Sequence, residues 1–402
     1  MKYLLFEDED ALDLQPFTLT RPVYELRVGI TTIREKWEMA LGQPVDCGAH
    51  APLDKKYQRF NPREEDYIAI NGKFLPTPEF PIAILETLTP GVGFYGKEGE
   101  LIAFRCGGKD LTHLDSYLTP GMLTGHVKLA FWEQSDKLVA VRQLWDIFRL
   151  NGQMLRMDFA ALTHGRTSHP NTDLFTKVYN KDAVFLEKDV KIRSAILNAE
   201  EGPIYIGEGA EVQEGAIIKG PVAIGPHAVV AMGAKIRPDT TIGPYCKVGG
   251  EISNCVFFAY SNKAHDGFLG NSVIGEWCNL GAGTNGSNLK NNYSAVKIYS
   301  HHHGRAITTG LQFCGLFMGD HSKCGINTMF NTGTVVGVSA NVFGGGFPPK
   351  FVPSFAWGHK EPFKPHELDK AIETATRVMA RRHVKFDAAE RAILTHLYKQ
   401  LT

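Results

Sequence analysis

IGEGAEVQEGAIIKGPVAIGPHAVVAMGAKIRPDTTIGPYCKV, residues 206–248, carries an apolar residue at every sixth position: Ile206, Val212, Ile218, Ile224, Val230, Ile236, Ile242 and Val248. A second run, Met318, Cys324, Phe330, Val336 and Val342, keeps the count. So do Phe268, Ile274 and Leu280 between the runs, and Val184, Val190 and Ile196 before them. A period of six matches neither a helix near 3.6 nor an alternating strand near 2. It predicts short strands that turn a corner every sixth residue, with the periodic side chain pointing inward. Hexapeptide repeats of this kind are a signature of the parallel β-helix. Stacked coils lie about 4.8 Å apart, and each covers its neighbour's open face.

The rest of the chain is read against that solenoid. It has 402 residues, 43 basic and 43 acidic, with 43% hydrophobic and 21% charged content. That balance describes a soluble globular protein and gives no basic face, which argues against nucleic acid as a partner. The opening MKYLLFEDEDALDL turns acidic after four apolar residues, so it is not read as a signal peptide. No apolar run approaches the roughly 20 residues of a membrane span. Seven cysteines without a CxxC spacing fit a reducing, cytoplasmic setting.

Four segments follow: an α/β domain over 1–165, a linker over 166–183, the solenoid over 184–346, and an extension with helices over 347–402. In the first, Tyr3–Phe6 and Asp66–Ile70 read as strands, and Ile30–Leu41 and Pro78–Leu88 as helices. Phe94-Tyr95 and Leu101–Phe104 flank GKEGE as a hairpin, and Leu138–Leu162 has a helical pattern. Strands interleaved with helices predict a layered sheet. The solenoid count breaks between 196 and 206, over 249–267 and over 285–317. Such breaks mark loops, often on the working face.

The middle break leads into YSNKAHDGFLGNSVIGEWCNLGAGTNGSNLKNN, residues 260–292. NKAHDGFLG followed by IGEWCNLGAGT resembles the acyltransferase half of the bifunctional glucosamine-1-phosphate acetyltransferase/N-acetylglucosamine-1-phosphate uridyltransferases. LTRPVYELRVGI and GDHSKCGINTMFNTGTVVG extend the resemblance toward sugar nucleotidyltransferase-like proteins seen especially in Bacteroidetes. It implies a Rossmann-like α/β nucleotidyltransferase-like domain followed by a left-handed parallel β-helix that transfers an acyl group from acetyl-CoA. It also implies a sugar phosphate or nucleotide sugar as acceptor, and a homotrimer whose sites are completed by an adjacent subunit.

Position by position, the resemblance puts His265 on the catalytic base, because a neutral imidazole can take the nucleophile's proton at neutral pH. Asn279 and Asn288 match asparagines that contact sugar or cofactor, and Ala282 the backbone N–H that steadies the thioester oxyanion. Arg237 matches an arginine on the sugar phosphate. Phe268 stands where the family commonly has Tyr. The phosphate-binding lysine is missing from KVGGEISNC, with Lys263 a candidate substitute. Each residue also has a plainer reading: a solvated histidine, an asparagine ladder, corner glycines, an arginine paired with an acid. His301, His302 and His303 suit a solvated loop better than a metal site, since three consecutive side chains cannot all face one ion.

The first domain departs further from the family. Active members open with a glycine-rich GxGxRM loop, whereas here FEDEDALDLQPFTLTRP has no glycine until Gly29. The Mg²⁺-binding Asp is replaced in YIAINGK by Lys73. Arg21, Arg27 and Lys73 remain as candidates for holding phosphate. A domain that keeps the fold but has lost or altered its nucleoside triphosphate and Mg²⁺ chemistry stands beside a catalytic one. Three functions stay open: acetyl-CoA-dependent acyl transfer, sugar-1-phosphate nucleotidyl transfer, and non-catalytic binding of a sugar nucleotide.

Overall fold

The computed structural model describes residues 1–57, 66–80, 83–107, 117–118 and 127–401. The chain divides into two compact units. One comprises Met1–Leu26, Thr31–Leu144 and Ala388–Ile393; the other comprises Arg27–Ile30, Trp145–Asp387 and Leu394–Thr402. Among the described residues no helix is long and apolar enough to cross a membrane.

The first unit is built on a six-stranded mixed sheet. Its spatial order is Asp46–Cys47, Lys2–Phe6, Asp66–Asn71, Leu101–Gly107, Val92–Tyr95 and Lys128–Phe131. Lys2–Phe6 pairs in parallel with both its neighbours, and Leu101–Gly107 pairs antiparallel with both of its own. The predicted strands and the GKEGE hairpin are therefore present. The predicted helix begins at Ile33, three residues late, because Thr32 and Glu35 form a reciprocal capping box. It stops at Gly42, whose φ of 66° closes the end. The helix expected over 78–88 is a single turn, Ala83–Glu86, and residues 81–82 lie outside the described set. The helical pattern over 138–162 forms two helices, Asp146–Arg149 and Asn151–Thr163, which belong to the second unit.

The second unit is a parallel β-solenoid, and its register explains the sixfold count. Ile206 pairs with Ile224 and Ile224 with Ile242; Val212 pairs with Val230 and Val230 with Val248. Each partner lies eighteen residues along, so three six-residue sides make one coil. All eight residues of the first run are at most 1% exposed and form one core with Leu280, Met318, Val336 and Val342. Burying an apolar side chain of this size contributes roughly 1.5–3 kcal/mol, repeated here three times per coil.

Two periodic residues do not point inward. Ile196 is 38% exposed and Phe268 is half-buried, while Leu197 and Leu269 fill the core in their place. The cause is coil length. Ile196 pairs with Ile217 twenty-one residues on, whereas Ile242 pairs with Phe257 fifteen on and Ile252 with Leu269 seventeen on, so a strict sixfold count drifts out of phase at both places. The last break is an insertion: Leu280 pairs with Cys324, and the antiparallel hairpin Lys297–Ser300 with Arg305–Thr308 lies between them. His301 packs edge-on against Tyr299 and Phe351, where burial pushes its pKa down to about 4. His302 and His303 stack outside it at 4.8 Å. The solenoid also runs past both expected limits, since Lys177–Tyr179 and Ala356–Gly358 still pair into its sheets.

One corner of the solenoid carries aromatic side chains. His227, Tyr245, Tyr260, Trp277 and His321 all have φ between 55° and 61°. Their rings stack coil on coil at 4.9, 5.0, 4.1 and 6.4 Å. A left-handed backbone costs roughly 1–2 kcal/mol at a non-glycine residue, and ring stacking offsets part of it.

Candidate functional site

A cleft of about 690 Å³ lies on one face of the solenoid and entirely within the second unit. Its floor is a row of outward positions in register: Lys247 beside Asn262, Asn262 beside Asn279, Asn279 beside Lys323. Strand alternation explains the row, because each of these residues immediately precedes a residue in the inward row. Tyr260 and Trp277, from the aromatic corner, make one wall. Ala264, His265, Gly281, Ala282 and Ile326 make the other. Val378, at the end of helix Leu368–Ala380, and Arg381 and Arg382 just beyond it complete the lining. Arg382 donates to the Asn262 side-chain oxygen at 2.9 Å, which ties the helix end to the floor.

The charge in this cleft is one-sided. Among the described residues Lys247, Lys323, Arg381 and Arg382 line it, and no carboxylate does. Lys323 Nζ donates to the His321 carbonyl at 2.8 Å, and burial lowers its pKa. A cleft that gathers four cations without an acid is electrostatically suited to phosphate groups.

His265 is exposed on the cleft wall. Its neighbour Asp266 lines a different, smaller groove of about 260 Å³ with Lys235, Glu251 and Phe268. The two side chains thus face different grooves, so Asp266 does not orient the imidazole. Across the wall, Gly281 donates to Cys324 O, Gly283 to Asp266 O, and Thr284 to Gly281 O. The Ala282 N–H between them makes no such bond among the described residues. Gly281 has to be glycine: a Cβ there would lie 2.5 Å from the Gly325 backbone.

The cleft thus gathers three of the expected residues, His265, Asn279 and Ala282. The others lie elsewhere. Arg237 pairs with Glu251 at 3.1 Å on an exposed face. Phe268 sits in the smaller groove, its N–H donating to Asn285 Oδ1 at 2.8 Å. Asn288 donates to Asn271 Oδ1 at 2.8 Å and packs over Gly270. Lys263 lies inside the solenoid wall, 1% exposed. Sequence reasoning missed Lys247, Lys323, Tyr260, Trp277, Arg381 and Arg382. The two lysines were findable, since each immediately precedes an inward residue, as Asn279 does. Nothing in the repeat pointed to the arginines.

In the first unit Arg21 is buried, and Lys73 is 1% exposed. The Lys73 ammonium bonds Asp8 Oδ2 at 2.6 Å and also meets Asp10. Asn71 donates to the same Asp8 oxygen at 2.7 Å. Burial raises the Asp8 pKa, with Lys73 acting against it. Asp8 and Asp10 line a groove of about 220 Å³ together with Glu9, Glu98 and Glu100. The positive charge expected at Lys73 is therefore neutralised, and the groove beside it is acidic. Arg27 falls in the second unit, where its guanidinium donates to the Ile30 carbonyl.

Residues 3–167 match the family model described as sugar nucleotidyl transferase. The chain is 34% identical over 170 residues to a bifunctional sugar-1-phosphate nucleotidylyltransferase/acetyltransferase of Sulfurisphaera tokodaii. That match covers 42% of this chain and 40% of the relative. Among solved structures, an Arabidopsis UDP-N-acetylglucosamine acyltransferase matches 59% of this chain and 97% of its own, at 14% identity and a TM-score of 0.25. A variant of the N-acyltransferase AntD of Bacillus cereus, solved with dTDP and coenzyme A, matches 54% of this chain and all of its own, at 13% identity and a TM-score of 0.21.

Proposed function

We propose that the second unit transfers an acyl group from a coenzyme A thioester, acetyl-CoA first among them, to an amino or hydroxyl group of a sugar phosphate or nucleotide sugar. The observation that carries this reading is the acid-free cationic cleft, with His265 and the Ala282 N–H on one wall. Lys247, Lys323, Arg381 and Arg382 suit the phosphates of the donor. His265 takes the proton of the attacking amine or hydroxyl as the new bond to the acyl carbon forms. The Ala282 N–H meets the developing oxyanion, a contact worth about 2.7–4 kcal/mol in a water-excluded site. The carbon–sulfur bond then breaks, and the imidazolium returns its proton to the departing thiolate. The relative's printed acetyltransferase name agrees with this chemistry.

The reading includes a homotrimer. Arg237 and Phe268 lie away from the cleft that holds His265, so one copy does not gather the full set, and a neighbouring copy would supply what is missing. Light scattering reports the assembly, and a stable monomer would count against it.

The decisive experiment measures release of the coenzyme A thiol against a panel of sugar phosphates and nucleotide sugars. With an active acceptor, His265→Ala should lose about 10²–10⁴ in kcat with coenzyme A affinity little changed. Wild-type turnover in His265→Ala would overturn the assignment. Absence of both turnover and coenzyme A binding would leave a sugar-nucleotide-binding protein.

For the first unit we infer a retained fold without Mg²⁺-dependent nucleotidyl transfer. Lys73 sets an ammonium against Asp8 and Asp10, and a cation cannot ligate a cation.

A further inference from the structure

Lys263 occupies a position that the repeat reserves for apolar side chains. Its strand pairs Val248 with Lys263, and the next pairs Asn262 with Asn279, which sets Lys263 between Val248 and Leu280 in the inward row. Val230, Val248, Leu280, Cys324 and Val342 in that row all belong to the apolar core. Lys263 is 1% exposed, so its ammonium is withdrawn from water. Lysine is almost never buried this fully unless its charge is met, and an apolar residue would fill the row at lower cost.

The ammonium is aimed at backbone. Nζ donates to the His265 carbonyl at 2.9 Å and to the Gly249 carbonyl at 3.3 Å. Gly249 returns a bond, its N–H donating to the Lys263 carbonyl at 2.7 Å. Asp266 supplies the largest opposing negative charge acting on Lys263. Lys263 therefore grips, from inside the wall, the peptide that presents the imidazole to the cleft. That peptide lies in the stretch where coils shorten from eighteen residues, so the regular ladder supports it less.

We propose that Lys263 is a positioning residue that fixes His265 in the cleft by holding its backbone carbonyl from within the solenoid. The inference rests on the acyl-transfer reading for its kinetic consequence, but the placement of His265 can be read without turnover. A role in positioning predicts a loss of kcat without loss of fold, whereas a lysine that merely fills space predicts neither.

The test is a double-mutant cycle between Lys263→Met and His265→Ala. Lys263→Met should lower kcat ten- to a hundredfold, leave KM for the acyl donor within twofold, and melt no lower than wild type. In the His265→Ala background it should have no further effect, because it acts through the imidazole. Unchanged kcat in Lys263→Met, or an equal loss on both backgrounds, would overturn the proposal. Carbethoxylation of His265 by diethyl pyrocarbonate, followed by mass spectrometry, gives a readout independent of catalysis. Its rate should change severalfold in Lys263→Met, and an unchanged rate overturns the proposal even if no acceptor is found. Inactivity of the wild type toward every acceptor would instead sink the acyl-transfer reading alone. Should Lys263→Met fail to fold, Lys263→Gln carries the same measurements.

Discussion

At Lys263 the cost of function can be read as a pH dependence of stability. Burial pushes its pKa from 10.5 in the unfolded chain down to about 8, against the pull of Asp266. Below about pH 8 both states are protonated, and the folded protein bears the full cost of the buried charge. Between about 8 and 10.5 the folded state sheds its proton first, so the unfolded state binds more protons and stability rises with pH. The whole effect is on the order of 3 kcal/mol at 1.36 kcal/mol per pKa unit. Lys263→Met should therefore be more stable than wild type at pH 7, with the advantage shrinking by pH 9.5. Urea midpoints at the two pH values measure it, and an advantage that stays constant would show that the lysine does not titrate in this window. The resemblance carried by NKAHDGFLG pointed to His265, which lines the cleft. It did not show Lys263 as a core residue. A lysine in NKAH reads as surface until the register sets it beside Val248.

At the scale of the element, the repeat was legible wherever coils hold eighteen residues and misleading where they do not. Ile206 to Val248 fell into the core as counted, while Ile196 slipped outward beside a longer coil and Phe268 beside shorter ones. Period alone cannot report a missing residue, since the apolar run on either side looks the same. The helix Leu368–Ala380 lies in the extension that was expected to carry helices. It buries Ala371, Ile372, Ala375 and Met379, and the turn beyond it delivers Arg381 and Arg382 to the cleft. Their distance from the repeat in sequence hid this role. If the pair binds the phosphates of the acyl donor in ground state and transition state alike, removal should weaken binding without slowing chemistry. Arg381→Ala and Arg382→Ala should each raise KM for acetyl-CoA about tenfold with kcat within twofold. The wild-type KM should also rise with salt, since exposed charges are screened. Initial-rate kinetics at two ionic strengths check both. A loss confined to kcat would instead place the arginines at the reacting centre.

At the scale of the whole molecule, the chain joins a unit that matches a nucleotidyltransferase family to one whose cleft suits acyl transfer. The division was visible in the sequence as a change from interleaved strands and helices to the sixfold count. The family match ends at residue 167, beside the expected boundary at 165, while helices Asp146–Arg149 and Asn151–Thr163 belong to the second compact unit. The family match alone would assign Mg²⁺-dependent nucleotidyl transfer to residues 3–167, and the local charge argues against it. A triphosphate and its metal require carboxylates free to ligate the cation and donors free to meet the phosphates. Here Asp8 and Asp10 are engaged by Lys73, and Glu9, Glu98 and Glu100 add negative charge to the same groove. Glu7, one residue earlier, is buried with its pKa raised to about 8, so it is poorly suited to ligate a metal near neutral pH. The intact protein should therefore release no pyrophosphate above background from UTP, dTTP or CTP with sugar 1-phosphates, with or without Mg²⁺. Its melting temperature should be the same in Mg²⁺ as in a chelator, because the ammonium already occupies the space between the carboxylates. Pyrophosphate release at enzymatic rates, or a rise of several degrees with Mg²⁺, would mean that Lys73 leaves the acids when substrate arrives.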